Sequence, residues 1–498
     1  MLPSAPTLRA QTGARPRERI SGARRVILLV GSAVIVFVLG AAVASVVALG
    51  SVDYALLNVA GACCLAVLLW VPFLKPDYQP IEPLSFVMLA VLVGITLKPA
   101  YIAFGPEYME GYLLLNRQEP AFLLNGAFLA LVGLSMLSVG YLLVLPRPGL
   151  SRLRVFATPV WSRDRLVLVG FVSMAIALAA MYLYIGKLGL SGVIEDFSRK
   201  RFYEVEGAEF ERSALGYYRT AASVVGPVFL FVLAWALGRK AKIGKVEMVF
   251  IGLLVFMSVV FPFFNSSRTK VLMILLEALV IWKCVRGRIP TWMVTAIGIG
   301  MLALLLLLTA LRPKAAEVSS FGDFLGVNAL LETTVGSRHF LDLTKTSHII
   351  EGVPDQLTYQ YGMTYVAWVF MPVPRTVWLD KPALGAGPII GQQIFGMQRA
   401  GVPPGMIAEA FLNFGYLGVL FCPFLIGVGL RWCYELFRPV LHTASGASLY
   451  AVTLIPVSWT TITGGFSQMM VALGVAVVPL LAIIFFVRVR QGPRSHAV

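Results

Sequence analysis

Apolar runs of about 20 residues recur along the whole sequence and restrict it to one class of fold. Hydrophobic residues make up 58% of the chain and charged residues 13%, with a mean hydropathy of +0.81. A run of about 20 apolar residues crosses a bilayer as a helix, since only a helix or a closed barrel satisfies the backbone there. The sequence therefore predicts an all-α, polytopic integral membrane protein with about 12 transmembrane helices. The runs are 26–49, 54–74, 84–104, 120–145, 166–185, 216–237, 246–264, 271–284, 290–311, 406–430, 447–463 and 467–487.

The distribution of charge predicts how these helices are oriented. With the N-terminus in the cytoplasm, the cytoplasmic segments hold 24 of the 41 Lys and Arg residues but only 6 of the 25 Asp and Glu residues. An excess of Lys and Arg in cytoplasmic segments is the general rule for membrane proteins. We therefore expect both termini in the cytoplasm. The net charge of +16 needs no nucleic-acid partner to explain it.

One long polar stretch, residues 312–405, interrupts the membrane spans and is called the long loop below. Loops of this length without obvious regular structure are usually functional or disordered. It contains apolar pieces such as residues 361–371, which are too short to span and predict short or re-entrant helices. The charge distribution places it outside the cytoplasm, and we interpret it as the reaction chamber. Its position after the ninth run counts against a transporter built from two six-helix halves.

The same arguments predict five parts along the chain. They are a basic cytoplasmic tail (1–25), a membrane domain of nine spans (26–311), the extracytoplasmic loop (312–405), a membrane domain of three spans (406–487) and a cytoplasmic tail (488–498).

Cations on the extracytoplasmic side are candidates for binding an anionic group. Arg268 begins a helix and follows hydrogen-bonding residues, so backbone N–H groups also point at this spot. Arg338, Arg375 and Lys381 lie in the long loop, and prolines fix the backbone around Arg375. Arginine binds phosphate oxygens in a bidentate way, so the group predicts a diphosphate or polyanionic substrate. Each residue alone is as well explained by lipid headgroups or a neighbouring acid.

Two side chains are candidates for a general base. Glu409 lies just inside a predicted span, where a charge is costly unless it faces the bundle interior or a cavity. His339 adjoins Arg338. Glu277, in the middle of another span, is a candidate partner for Lys98 or Arg268. No metal-ligand spacing is evident outside the membrane, so we expect metal-independent chemistry and no cofactor.

Several of these residues occur in short motifs that resemble the Wzy-type O-antigen polymerases, which are oligosaccharide repeat-unit polymerases. The motifs are the Tyr-Gly-Met-Thr-Tyr run at 361–365, the Pro-Val-Pro-Arg-Thr-Val-Trp run at 372–378, Asp-Lys-Pro at 380–382 and Glu-Ala-Phe-Leu-Asn-Phe-Gly at 409–415. The Ser-Ser-Arg-Thr run at 266–269 is similar to an earlier arginine motif of that family. Arg201 is a candidate for an additional family arginine, although its surroundings match poorly.

The resemblance implies a GT-C-like membrane glycosyltransferase. Such an enzyme joins an undecaprenyl-pyrophosphate-linked oligosaccharide donor to a second lipid-linked unit, at the outer face of the cytoplasmic membrane. It implies catalytic roles for Arg338, Arg375, Glu409 and His339. The implied contacts to pyrophosphate or glycan are Arg268, Lys381, Arg201, Tyr361, Trp378 and Asn413. The bilayer, a chain-length regulator and a flippase are the implied partners.

Two other functions fit the same sequence features. An O-antigen ligase would pass the lipid-linked glycan to another acceptor, and its chemistry differs only in that acceptor. A transporter or flippase of lipid-linked sugars should line its central cavity with charge from several spans, whereas charges in the middle of the predicted spans are few here.

Overall fold

The computed structural model confirms the all-helical class. It describes residues 17–105, 119–143, 161–198, 218, 221–239, 244–264, 268–290, 292–293, 295, 298–300, 331, 334–336, 342–373, 377–378, 381–383, 385–396 and 401–488. Within these residues the regular structure is helical, and β-pairing is limited to an isolated bridge between Trp161 and Arg488. The chain is therefore a polytopic membrane protein.

The helices follow the apolar runs closely. They are α1 (Arg17–Leu49), α2 (Val52–Leu74), α3 (Pro83–Val91), a π-helical turn (Leu92–Thr96), α4 (Lys98–Phe104), α5 (Phe122–Leu142), α6 (Arg163–Ser198), α7 (Val225–Gly238), α8 (Lys245–Phe264), α9 (Arg268–Arg286), α10 (Leu343–Glu351), α11 (Met363–Val366) with a 3-10 turn (Ala367–Phe370), α12 (Gly387–Gln393), α13 (Gly405–Phe437) with a 3-10 turn (Arg438–Val440), α14 (Ala444–Thr463) and α15 (Phe466–Val487).

Eight helices in the described part of the chain are long and apolar enough to cross a membrane. They are Arg24–Leu49, Val52–Leu74, Pro83–Phe104, Phe122–Leu142, Arg163–Gly186, Lys245–Pro262, Gly405–Val440 and Phe466–Val487. Each coincides with one of the predicted runs. The remaining runs correspond to the shorter α7, to α9 and α14, and to 290–311, most of which lies outside the described residues. The total of about 12 stays a prediction.

The third span is broken rather than continuous. It runs as α3, then the π-helical turn, then α4, whose second residue is Pro99. Proline lacks an N–H and clashes with the preceding turn, which ends a helix before it. The Thr96 hydroxyl donates to the Gly61 carbonyl at 3.1 Å, so α2 supplies a partner at the break. The break brings Lys98 to the interior of the bundle, where it is fully buried.

Close helix contacts assemble the bundle around α5, α13 and α14. α14 packs against α3, α7, α9, α13 and α15, and most of its residues are buried. α5 lies against α13 at Gly133 and Gly140, which are seven residues apart. A Cβ on Gly140 would stand 2.2 Å from the Phe424 carbonyl oxygen, and one on Gly133 would stand 2.4 Å from Ile407. Small residues at such positions let membrane helices approach closely.

A buried polar network closes the end of the bundle that is predicted to be cytoplasmic. The Glu82 carboxylate is fully buried and accepts hydrogen bonds from Lys75 at 2.5 Å and from the Tyr141 hydroxyl at 2.8 Å. Arg431 lies 3.6 Å from the same carboxylate. Burial lowers the pKa of Lys75, and the neighbouring Glu82 opposes that shift. Helices α3, α5 and α13 are joined by this network.

The described part of the long loop is folded into short helices. α10, α11 with its 3-10 turn, and α12 are each at most nine residues long. α10 packs against α5 and α13, while α11 contacts α13 and α15. These contacts seat the loop on one end of the membrane helices. Its assignment to the extracytoplasmic side stays a prediction.

Candidate active site

A break in α13 forms the centre of the candidate site. Phe414 (φ −138°, ψ 15°) and Gly415 (φ 60°, ψ −144°) leave the helical conformation in the middle of this long apolar helix. The backbone at position 415 favours glycine, because residues with a side chain rarely adopt its positive φ. Non-helical backbone at membrane depth occurs only where protein buries it or it lines a cavity. The break lines a groove, which is described below.

The Asn413 side chain, just before the break, holds the long loop against α13. It is fully buried, and its Oδ1 accepts a hydrogen bond from the Gly362 backbone N–H at 2.9 Å. Its Nδ2 donates to the Thr364 hydroxyl at 2.6 Å and to the Glu409 carbonyl at 2.7 Å. The loop backbone has a left-handed conformation at this point, since Tyr361 has a φ of 44°. A left-handed non-glycine residue is uncommon and persists only when its surroundings enforce it.

Glu409 lies one turn before Asn413 and faces the interior of the protein. Its side chain is only 2% exposed, and its Oε2 accepts a hydrogen bond from the Phe466 backbone N–H at 2.8 Å. Phe466 is the first residue of α15, so the carboxylate interacts with the positive end of that helix dipole. The same turn is tied to the loop by Ser467, which donates to the Thr364 carbonyl and accepts from the Trp368 N–H. Glu409 thus stands where α13, α15 and the long loop meet.

An open groove of about 750 Å³ begins at this junction and follows α13. At one end Tyr359, Tyr361 and Asn413 line it. Along the helix its wall continues as an apolar stripe: Phe414, Leu417, Gly418, Phe421, Cys422 and Leu425. Positions spaced three and four apart share one face of a helix. The stripe from Phe414 to Leu425 covers 12 residues, and so is roughly 16 Å long.

A second cavity of about 260 Å³ lies between α7, α8, α9, α14 and α15. Glu277 and Ser258 are buried side chains that line it, and Lys270 lines it as well. The predicted pairing of Glu277 with Lys98 is not formed, because Lys98 lies beside Asp342 instead. Among the described residues, no three His, Cys, Asp or Glu side chains come together as metal ligands.

Lys381 and Trp378 belong to another part of the long loop. The Lys381 ammonium donates to the backbone carbonyls of Met371 at 3.0 Å and Val373 at 2.9 Å. These bonds join Lys381 to the backbone at Met371 and Val373. Trp378 is 38% exposed and contacts Phe370 edge to face, with ring centroids 5.4 Å apart.

The structure brings together some of the predicted site residues. Glu409, Asn413 and Tyr361 share one junction, and Tyr361 is 81% exposed at the mouth of the groove. Arg268 begins α9, where the structure describes its backbone position only. The remaining predicted residues, Arg201, Arg338, His339 and Arg375, lie outside the described residues.

Sequence reasoning missed several residues of this region. Thr364 and Ser467 carry no signal of their own, because single hydroxyls in apolar segments are common. Lys98 had a signal, since a charged side chain within a span points to function or to a buried partner. Its partner Asp342 is the N-cap of α10. The order Asp-Leu-Thr at 342–344 is typical of a helix start, because aspartate is a preferred N-cap residue.

The fold and the site define a class of protein. It is a polytopic, all-helical membrane protein in which a long loop, a broken span and a membrane groove meet at a buried carboxylate. The sequence matches the O-antigen polymerase family over residues 216–474, just over half of the chain. The chain therefore belongs to this family, as the motifs predicted. No curated protein and no solved structure shows a significant similarity to the chain.

Membership of the family establishes the broad function. The protein is a glycosyltransferase-type enzyme with a polymerase role in O-antigen synthesis. Its substrates are lipid-linked oligosaccharides, and it works within a lipid bilayer.

Proposed function

We propose that this protein polymerises undecaprenyl-pyrophosphate-linked oligosaccharide repeat units into O-antigen, capsule or exopolysaccharide chains. The reaction takes place at the outer face of the cytoplasmic membrane, with the long loop outside. The observation that carries the proposal is the junction at Glu409 and Asn413, where an apolar groove in a span meets a polar loop. A substrate with a long hydrocarbon tail and a glycan head needs both surfaces side by side.

The groove along α13 takes the isoprenoid tail. Its stripe is apolar and aromatic, and it runs from the loop toward the middle of the helix. At its mouth, the exposed ring of Tyr361 can stack on a sugar, and Tyr359 offers a hydroxyl. In this binding mode the predicted arginines bind the pyrophosphate.

In the proposed reaction an acceptor hydroxyl oxygen attacks the anomeric carbon of the donor glycan. The bond from that carbon to the pyrophosphate oxygen breaks, and undecaprenyl pyrophosphate leaves with the electron pair. Arg338 and Arg375 stabilise the negative charge that develops on this leaving group, because fixed cations at such a point lower the barrier. Arg268 and Lys381 act in binding the same end of the substrate, and Arg201 is a weaker candidate for this role.

A general base must accept the proton of the attacking hydroxyl. Glu409 or His339 has this role. Glu409 is supported by its place at the junction, where its carboxylate is buried and held by hydrogen bonds from the Phe466 N–H and the Thr364 hydroxyl. His339 is supported by its place beside Arg338 in the sequence.

Deletion of the gene tests the proposed function directly. We expect single repeat units to accumulate, either on the lipid carrier or passed singly to the ligase's acceptor, because the flippase and the ligase would still act on unpolymerised units. Full-length lipid-linked chains would instead identify a ligase. Absence of lipid-linked units on the outer face would identify a flippase.

The arginine roles are tested in cells that carry the variant genes. We expect Arg338→Ala and Arg375→Ala to lower polymerisation by about 10²–10³ at normal expression, since each removes a fixed charge. Arg→Lys should also impair activity, because lysine cannot form paired contacts with phosphate. Arg163→Ala is the control, since that side chain is 59% exposed beside Glu247 at the other end of the bundle. Polymer of normal length in both alanine variants would contradict these roles.

A further inference from the structure

Lys98 is a fully buried lysine within a predicted span. Its Nζ donates a hydrogen bond to the Val335 carbonyl oxygen at 2.9 Å and lies 3.4 Å from Oδ1 of Asp342. Both side chains of the ion pair are at most 1% exposed. Lys98 belongs to the membrane helices, whereas Val335 and Asp342 belong to the long loop. One ammonium group therefore joins the two parts of the protein. Its contacts with Val335 and Asp342 are called the tie below.

The Asp342 carboxylate is fixed by more than this lysine. Its Oδ1 also accepts hydrogen bonds from the Thr344 backbone N–H at 3.1 Å and from the Thr344 hydroxyl at 2.7 Å. Asp342 is thus the N-cap of α10, and the cap and the ion pair share one oxygen atom. α10 itself is seated on α5, where a Cβ on Gly126 would stand 2.1 Å from the Ser347 hydroxyl oxygen.

The two partners of Lys98 flank one short stretch of sequence. Val335 precedes it and Asp342 follows it, and Arg338 and His339 lie between them. Since both partners touch the same Nζ atom, they stand no further apart than the sum of the two distances. Seven residues of extended chain would span more than 20 Å. Lys98 therefore keeps the two flanks of this stretch together and fixes them to the membrane helices.

We propose that Lys98 is a positioning residue for the glycosyl transfer: its ammonium fixes both flanks of the segment that carries Arg338 and His339. The proposal rests on the proposed function for the roles of those two residues. Lys98 itself is buried away from substrate and does not take part in the chemistry. A displacement of about 1 Å in a catalytic group can reduce the rate by about 10²-fold, so the tie acts mainly on turnover.

The alternative explanation is that the Lys98–Asp342 pair only stabilises the fold. The protein contains a second, similar ion pair, and comparing the two pairs separates the two explanations. Lys75 and Glu82 also form a buried Lys–carboxylate pair, but at the opposite end of the bundle. Buried ion pairs are weak evidence for stability, because desolvation offsets much of their attraction. If Lys98 only stabilises the fold, loss of either pair should affect the enzyme in the same way.

The test uses full-length protein reconstituted in lipid, with a lipid-linked repeat unit as substrate. Lys98→Met/Asp342→Asn removes the tie by taking away one positive and one negative charge together, and asparagine caps a helix as well as aspartate does. Lys75→Met/Glu82→Gln is the matched control. Thermal unfolding, hydrogen exchange of peptides covering residues 331–351, kcat and KM are measured for both. Lys98→Arg, which keeps a cation, is the conservative variant.

We expect the Lys98→Met/Asp342→Asn variant to lose at least about 10-fold in kcat, with a KM close to that of the wild type. Amide exchange should rise in residues 331–351 and stay unchanged elsewhere. The control should unfold at a lower temperature yet keep its kcat below that temperature. Lys98→Arg should retain more kcat than Lys98→Met/Asp342→Asn.

Two results would overturn the proposal. One is wild-type kcat in the double variant, and the other is an equal loss of kcat in both pair variants. Failure of the proposed function is recognised separately, because the wild-type protein would then make no polymer. The exchange measurement needs no substrate, so unchanged exchange in residues 331–351 would refute the tie even then.

Discussion

At the scale of single residues, Glu409 is the most sharply placed member of the candidate site. Its Oε2 is occupied by the Phe466 N–H, so glutamine in its place can keep an acceptor for that bond but cannot take a proton. We expect Glu409→Gln to lower turnover by about 10²-fold or more, which is typical for loss of a general base. Binding of the lipid-linked substrate should be retained. Turnover and binding are measured separately in lipid-reconstituted enzyme.

The control for Glu409→Gln is Ser467→Ala. This substitution removes another hydrogen bond at the same junction but does not remove a titrating group. It should reduce turnover far less. Wild-type turnover in Glu409→Gln would remove Glu409 from the catalytic set and leave His339 as the base. Weakened binding together with slow turnover would show that Glu409 instead holds the loop and its arginines in place.

Also at the residue scale, the buried ammonium of Lys345 leads us to expect an unusual pH dependence of stability. Its Nζ is buried without a hydrogen-bond partner among the described residues. Burial lowers the pKa of Lys345 to about 8, while Asp342 raises it and Lys98 lowers it further. Between that pKa and the normal value of 10.5, the unfolded chain binds more protons than the folded one. The free energy of unfolding should therefore rise with pH over this window and be lowest below about pH 8.

The substitution Lys345→Met tests this dependence. It removes the buried charge and should raise the free energy of unfolding at pH 7, by roughly 1–3 kcal/mol. It should also abolish the rise in stability between pH 8 and 10.5. Thermal unfolding in detergent at pH 7 and pH 9.5 measures both effects. A destabilised variant, with a wild type that gains nothing at pH 9.5, would mean that an anionic group pairs with Lys345.

At the scale of elements, the groove along α13 provides its own chemical probe. Cys422 lines the groove, whereas Cys433 lies on the same helix three turns further on and outside it. We compare two variants that each keep one of these cysteines and lack the other four. Undecaprenyl pyrophosphate should slow the reaction of Cys422 with a membrane-permeant maleimide, because its tail covers the thiol. Cys433 should be unaffected.

Phosphatidylglycerol is the control lipid for this measurement. It carries acyl chains and an anionic headgroup but no isoprenoid tail. Equal protection of Cys422 by both lipids would show that the groove is ordinary lipid-facing surface. Protection of neither cysteine by undecaprenyl pyrophosphate would place the tail elsewhere, with the cavity beside Glu277 as the next candidate.

At the scale of the whole molecule, the segregation of charge predicts the topology. Gln392 lies in the long loop and Arg286 at the end of α9, and both are exposed. In a cysteine-free background, Gln392→Cys should react with an impermeant maleimide in intact cells after the outer barrier is opened. Arg286→Cys should react only once the cytoplasmic membrane is permeabilised. The reverse pattern would place the long loop in the cytoplasm and exclude the proposed reaction site.

The sequence by itself determined the class of fold, most of the spans and the family. Hydropathy over about 20 residues is a local property, because the bilayer imposes the same requirement on each segment separately. The motifs around residues 361–382 and 409–415 are likewise local in the chain. They were sufficient to predict membership of the family that the match over residues 216–474 establishes. They also put Glu409, Asn413 and Tyr361 among the ten predicted site residues.

Only the tertiary structure decided which side chains meet. The Asn413 amide reaches Gly362, 51 residues away, and Lys98 reaches Val335, 237 residues away. No local pattern specifies such pairs, because they depend on how α4, α13 and the long loop pack together. The breaks at Thr96 and at Phe414 were hidden for the same reason, since each is tolerated only where neighbouring elements satisfy the freed backbone. The contacts of the buried Lys98 with the long loop became visible only through that packing.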